Sequence, residues 1–263
     1  MEVSVIVPSY KPKEYIFQCL DSLKNQTLDK ELFEVIIVLN GEKDPYYDNI
    51  KKWICENNLK NFELLYSKIT GVSNARNIAL DFSKGEYIVF VDDDDYIDKN
   101  YIEELLTTNK KIGFDSIVVT DYINFQDETN KILFKTKYFF EKGSLVEARK
   151  VFSMACIKII PKNIISRIRF NTKYKNGEDS LFMLKISKNI KSVKKVEKET
   201  FYWRRVRKDS AHFRKKDSKK IIKNTLFLIK DFSKLFFEKG YNKRFIFIRI
   251  LAVLKGMIYQ FKN

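Results

Sequence analysis

The chain has 263 residues, 44% of them hydrophobic and 14% aromatic, with only 8 Gly and 4 Pro. That is enough apolar material to bury a core in one large domain, or one domain with an appendage, and it excludes a long disordered linker. The net charge of +16 is unevenly placed: residues 203–263 hold 18 Lys+Arg against 4 Asp+Glu, residues 1–202 hold 32 against 30, and the basic C-terminal quarter therefore points to an anionic partner, nucleic acid or a membrane surface.

Met1 leads directly into "EVSVIVP", which has neither the basic stretch nor the small-residue cleavage site of a secretory leader. Cys19, Cys55 and Cys156 are far apart and form no CxxC or zinc spacing. They read as reduced structural thiols, and a cytoplasmic location is expected.

"VSVIVP" (Val3 to Pro8) reads as a buried strand, a β-branched run stopped by proline. Tyr15, Ile16, Cys19, Leu20 and Leu23 then recur at helical spacing. "FEVIIVLNG" is a second buried strand, closed by Asn40-Gly41. A helix through "DNIKKWICENN", a strand at "FELLYS", a helix through "SNARNIALDF" and a strand at "GEYIVFV" follow, and Asp98 is expected to N-cap the helix "KNYIEELL". Strands that alternate with helices and lack polar alternation predict a mostly parallel sheet covered on both faces. Ligands of such sheets bind beyond the carboxyl ends of the strands. Pro8-Ser9-Tyr10, Asn40-Gly41 and Asp92 to Asp95 all fall there and should share one crevice.

After Leu106 the rhythm weakens. "DSIVVTDYINF" and "KILFKTKYFF" look like a strand pair, "CIKIIP" like a strand or short helix, and "EDSLFMLKISKNI" like a helix with acids in its first turn. "SKKIIKNTLFLIKDFSKLFF" and "KRFIFIRILAVLKGMIYQF" read as two terminal helices. Arg249 and Lys255 interrupt the second, which lacks the roughly 20 apolar residues of a membrane span. Basic residues around an apolar face fit an interfacial helix on an anionic leaflet, and equally a helix packed on the domain with its lysines solvated.

Four consecutive aspartates, Asp92 to Asp95, end a buried strand. Such a run can be a solvated turn, a helix cap or a metal site. Hard divalent cations such as Mg²⁺ and Mn²⁺ take carboxylate oxygen, and Mg²⁺ typically uses one or two carboxylates plus substrate phosphates.

The ordered series "VSVIVPSY", "VLNG", "GVSNARNIAL", "GEYIVFVDDDDYI" and "NGEDSLF" closely resembles glycosyltransferase family 2, over about residues 2–215. The resemblance implies an inverting enzyme of GT-A fold that uses a nucleotide-sugar donor and a divalent metal, Mn²⁺ or Mg²⁺. It implies a catalytic domain at 1–215 and a basic helical appendage at 216–263. Pro8, Ser9 and Tyr10 match residues lining the nucleobase pocket. Asn40 stands where the family usually has an aspartate that accepts the uracil N3 proton; an amide oxygen can also accept it, so a UDP-sugar is expected. Lys11 replaces the usual Asn.

Arg76 matches a basic position near the donor, where a guanidinium can fork onto phosphate oxygens. Asp94 matches the direct metal ligand, Asp92 and Asp93 face metal, ribose or water, and Asp95 is structural. Asp179 matches the general base, with Glu178 binding acceptor hydroxyls or positioning it. Arg205, Arg207 and Ser210 match positions that close over the diphosphate, and His212, the only histidine, is a candidate for the metal shell. Lys158 matches a recurrent lysine of unassigned role. The processive QxxRW pattern is absent, which favours one or a few sugar additions to a cell-surface glycan or lipid-linked acceptor. Two rival readings remain: a basic nucleic-acid-binding protein, with Trp203, Phe213 and Phe227 for stacking, and a nucleotidyltransferase of related architecture; no nucleic-acid partner is expected, because no recognition motif accompanies the charge and the five ordered motifs would go unexplained.

Overall fold

The structure is a computed structural model and describes residues 1–138, 140–207 and 218–262. In chain order its strands are β1 (Val3–Ser9), β2 (Phe33–Asn40), β3 (Phe62–Ser67), β4 (Tyr87–Phe90), β5 (Tyr96–Ile97), β6 (Ser116–Val119), β7 (Asp121–Gln126), β8 (Ile132–Thr136), β9 (Lys142–Gly143), β10 (Lys158–Pro161), β11 (Ser192–Lys195) and β12 (Phe201–Val206). The helices are α1 (Tyr15–Lys24), α2 (Tyr46–Glu56), α3 (Val72–Phe82), α4 (Tyr101–Ile112), α5 (Lys162–Ile165), α6 (Glu178–Ile186), α7 (Ser218–Phe237) and α8 (Lys243–Lys262).

The main sheet runs β3-β2-β1-β4-β10-β6-β11-β9. Its first four strands are parallel, and β10 is antiparallel to both neighbours. Every residue of β1 and β2 is buried, as expected of strands covered on both faces. Glu34 is tolerated inside β2 because one oxygen accepts from the Ser4 hydroxyl at 2.7 Å and the Lys84 N–H at 2.7 Å. β1 pairs with β2 through Ser9 but with β4 only through Ile6. The overhang of residues 7–9 past β4 opens the crevice into which the aspartate turn falls.

Two expectations change here. "DSIVVTDYINF" divides at Thr120: β6 stays in the main sheet, while β7 crosses to a second sheet of order β5-β12-β7-β8 and there pairs antiparallel with β8. Asp98 does not cap α4 with its side chain. Its oxygens accept from the Phe201 N–H and the Trp203 indole N–H, at 2.8 and 2.7 Å, and so fasten β12 beside the aspartate turn.

The terminal helices pack against the rest of the chain. Leu228, Phe232, Leu235, Phe245 and Ile246 join the same buried core as the sheet, and the Tyr174 hydroxyl donates to Asp231 of α7 at 2.8 Å. Among the described residues no helix is long and apolar enough to cross a membrane.

Candidate active site

Asp92 to Asp95 form a tight turn between β4 and β5, closed by the Asp95 N–H on the Asp92 carbonyl at 3.1 Å. Each carboxylate has its own partner, and that is how the run is tolerated. Arg76 Nη2 donates to Asp92 at 2.9 Å, the Ser9 hydroxyl to Asp93 at 2.6 Å, and Arg207 Nη2 to Asp94 at 2.6 Å. Asp95 is buried and accepts from the Tyr202 hydroxyl and the Arg205 N–H, both at 2.7 Å. The partners offset the repulsion incompletely. Burial, followed by the neighbouring Asp94 charge, pushes Asp93 up to about 8 and Asp95 well above the carboxylate range. Asp94 is raised by burial and then by Asp92.

Arg76 is 2% exposed, and its guanidinium forks between two carboxylates: Nη2 meets Asp92 and Nη1 meets Asp179. Burial opposes the charge, but Asp179 and then Asp92 hold the guanidinium above its ordinary value. This one side chain joins the aspartate turn to the first turn of α6, two motifs far apart in sequence.

Asp179 is therefore bracketed. Oδ1 accepts from Arg76 and Oδ2 from the Ala155 N–H at 3.0 Å. Each oxygen keeps lone-pair capacity for a further donor. Glu178 beside it is pushed up to about 7 by burial and then by the Asp179 charge. The neighbouring carboxylates thus face different environments, the usual basis for dividing acid–base roles. Lys158 is fully buried and donates to the carbonyls of Met154 and Cys156 at 2.6 and 2.7 Å, and to that of Ala155 at 3.4 Å. It holds the loop that supplies the Ala155 N–H.

The residues expected to line a nucleobase pocket lie at the ends of β1 and β2. Pro8 and Ser9 are buried, and Tyr10 is 52% exposed. Asn40, 1% exposed, donates to the Ser9 carbonyl at 2.6 Å and accepts from the Gly71 N–H at 2.8 Å. Its amide ties the end of β1 to Gly71, with one lone pair of its oxygen already used. Gly41 has φ +90, and a Cβ there would meet the Tyr10 ring at 2.8 Å. Lys11 turns away to Glu42 at 2.5 Å.

The Arg205 guanidinium donates to the Asp94 carbonyl at 2.7 Å, to Asp127 at 2.5 Å and to Gln18, and it lies 4.8 Å from the Phe125 ring centroid. It braces the turn from behind. Arg207 lies over the Tyr15 ring at 4.5 Å while reaching Asp94. Ser210 and His212 lie outside the described residues. Sequence reasoning missed Tyr202, Gln18, Asp127 and the Ala155 N–H. All act through contacts distant in sequence, and only the aromatic-basic run "YWRRVR" hinted at β12.

The family model described as "Glycosyl transferase family 2" matches residues 4–169. The chain is 27% identical over 206 residues to the poly(ribitol-phosphate) beta-N-acetylglucosaminyltransferase TarS of Staphylococcus aureus, covering 77% of this chain and 35% of the relative. It is 28% identical over 217 residues to a poly(ribitol-phosphate) beta-glucosyltransferase of Bacillus spizizenii, covering 81% and 33%. The chain thus spans about a third of the length of these curated relatives. A crystal structure of S. aureus TarS residues 1–349 in complex with UDP-GlcNAc superposes with a TM-score of 0.79 at 21% identity, covering 97% of this chain and 72% of that one. At that identity the likeness speaks for the fold, which is the expected mostly parallel α/β architecture of GT-A type.

Proposed function

Because the chain belongs to glycosyl transferase family 2, we propose that it is an inverting glycosyltransferase that moves a sugar from a uridine diphosphate donor to an acceptor hydroxyl. One observation carries this reading: the Asp92–Arg76–Asp179 bridge, which unites a carboxylate turn suited to a donor with a carboxylate suited to a base. The acceptor oxygen attacks the anomeric carbon as the bond to the diphosphate breaks. Asp179 takes the hydroxyl proton, a contribution of about 10²–10⁴-fold. Arg76 orients Asp179 through its guanidinium contact, and Arg207 adds positive charge beside the leaving group.

The aspartate turn fits a hard dication, because its side-chain ligands are all oxygen and their mutual repulsion is only partly offset. Among the described residues no three His, Cys, Asp or Glu side chains form a metal cluster. The chain would therefore supply Asp94 and Asp92, with diphosphate oxygens completing the shell. When bound, Mg²⁺ or Mn²⁺ would neutralise the departing diphosphate.

The relatives' names motivate a glucose or N-acetylglucosamine donor and a polyol-phosphate acceptor. A phosphate-rich polymer suits the basic C-terminal quarter electrostatically. A cytoplasmic enzyme peripheral to an anionic membrane also fits. α7 and α8 expose Leu226, Phe227, Phe237 and Phe247, with Lys223, Lys230, Lys243 and Arg244 also exposed on them.

Asp179→Asn tests the assignment, because it keeps size and polarity but removes the proton acceptor. Calorimetric affinity for the metal–nucleotide donor should stay near parent, while acceptor-dependent release of UDP falls at least ~10²-fold. Loss of donor affinity in proportion to rate would make Asp179 a donor ligand. Inorganic diphosphate as the product would instead favour a nucleotidyltransferase.

A further inference from the structure

Arg249 lies in α8, 70 residues beyond Asp179 in the chain, and is 6% exposed. It interrupts the apolar run "FIFIRILAV". Its partners are neutral: Nη1 donates to the Arg149 carbonyl at 3.0 Å, and Nη2 to the Phe152 carbonyl at 3.3 Å and the Ser180 hydroxyl at 2.7 Å. Burial pulls its pKa down to about 10. Among the described residues it has no counter-ion, and a buried cation left so is costly, so a methionine or leucine would be the simpler packing choice for a helix that only covered the domain. The Phe245 ring packs edge-on against Phe152 at 4.9 Å, so the same helix touches the same segment twice.

The two bonded carbonyls are those of Arg149, the first residue of a short 3-10 helix, Arg149–Ser153, and of Phe152, in its final turn. Carbonyls at a helix end lack intrahelical partners, and an arginine there is favoured. The chain then enters the loop 154–156, whose carbonyls fold around Lys158 and whose Ala155 N–H holds Asp179 Oδ2. The third partner, Ser180, follows Asp179 directly in α6. Arg249 thus grips both the strap that donates to Asp179 and the residue next to it.

We propose that Arg249 is a positioning residue for Asp179, and that α8 is thereby part of the acceptor side of the catalytic centre and not an appendage to it. The proposal rests on Asp179 being the base. Arg249 fixes where the Ala155 N–H sits, and that N–H fixes one oxygen of the carboxylate. Among the described residues the donor side contacts Asp179 through Arg76 alone, and it should not respond.

The test uses the full chain with Arg249→Met and the charge-keeping Arg249→Lys. Hydrogen exchange of the unliganded protein is read first, because it needs no substrate. Arg249→Met should speed exchange of residues 149–156 at least ~10-fold, by loss of local protection, while β1, β2 and α3 keep parent protection. With donor and acceptor, kcat should fall ~10- to 10²-fold, the scale of a misplaced reacting group, with calorimetric donor affinity within about twofold of parent. Arg249→Lys should fall between parent and Met in both readouts.

Unchanged exchange at 149–156 overturns the proposal whatever the activity. Faster exchange with parent kcat also overturns it. Exchange accelerated equally across β1 and β2, with matching loss of donor affinity, makes the arginine merely structural. Should Arg249→Met fail to fold, the Lys variant decides by the same criteria. If Asp179→Asn keeps its rate, the base assignment fails, and that result stands apart from the exchange measurement.

Discussion

Lys158 is a cation enclosed by three carbonyls, with burial pushing its pKa down to about 7 from 10.5. Unfolded, it keeps its proton up to about pH 10.5. Between about 7 and 10.5 the unfolded chain therefore binds more protons, so this residue makes stability rise with pH across that window. Below about 7 both states are protonated, and the full burden of a buried charge remains. Denaturant midpoints of the parent should carry this rising component, and Lys158→Met should remove it. An unchanged pH slope in the variant would show that the folded lysine keeps its proton as far up the pH scale as the unfolded one does.

At this scale the sequence was a good guide to which residues the fold brings together and a poor one to their partners. Ser9, Arg76, Asp94 and Glu178-Asp179 could be picked out because each sits in a short motif at a strand or helix end. That Arg76 would spend its guanidinium on Asp92 and Asp179, or that Arg205 would be walled in by Gln18 and Asp127, depends on contacts between distant segments. Arg249 did leave a trace: a single charge inside an apolar helical run.

Among the elements, α6 and α7 meet at Gly177. That residue has φ +83, and a Cβ on it would lie 2.5 Å from Leu228 Cδ1. Asn224 of α7 also donates to the Asn176 carbonyl at 3.0 Å. Gly177→Ala should cost about 1–3 kcal/mol through backbone strain and overpacking. Leu228→Ala in that background should restore the steric part and leave the strain. A double-mutant cycle from denaturant melts should then give a favourable coupling, and additivity would mean the two side chains do not meet. The strands and helices before Leu106 were legible because buried β-branched runs alternate there with 3.6-residue periodicity. β11 and β12 were not. "SVKK" and "FYWRRV" alternate weakly, and β12 is held by Asp98 and Asp95, which nothing local announces.

Taken whole, the molecule has two kinds of C-terminal surface. The inner faces of α7 and α8 finish the core: Phe232 and Phe245 are fully buried, and each such side chain is worth about 1.5–3 kcal/mol on burial. Their outer faces combine exposed aromatic and aliphatic side chains with lysines. Flotation with anionic vesicles should retain the protein at low salt and release it as salt rises, with little binding to neutral vesicles. Leu226→Ser with Phe227→Ser should weaken retention without altering the melting temperature by more than a few degrees. Equal binding to both vesicle types, or retention on nucleic acid instead, would count against a lipid surface.

The guanidinium of Arg76 has a consequence for how this site can change through descent. One positive charge serves a negative group in each half of the crevice, so neither half is free to drift alone. Neutralising Asp92 leaves the arginine wholly to Asp179 and tightens its hold on that carboxylate; neutralising Asp179 does the reverse. Asp92→Asn and Asp179→Asn should therefore be epistatic, with the paired variant departing from the sum of the single effects on donor affinity by at least ~0.5 kcal/mol. Substitutions at positions 76, 92 and 179 should be accepted together or not at all.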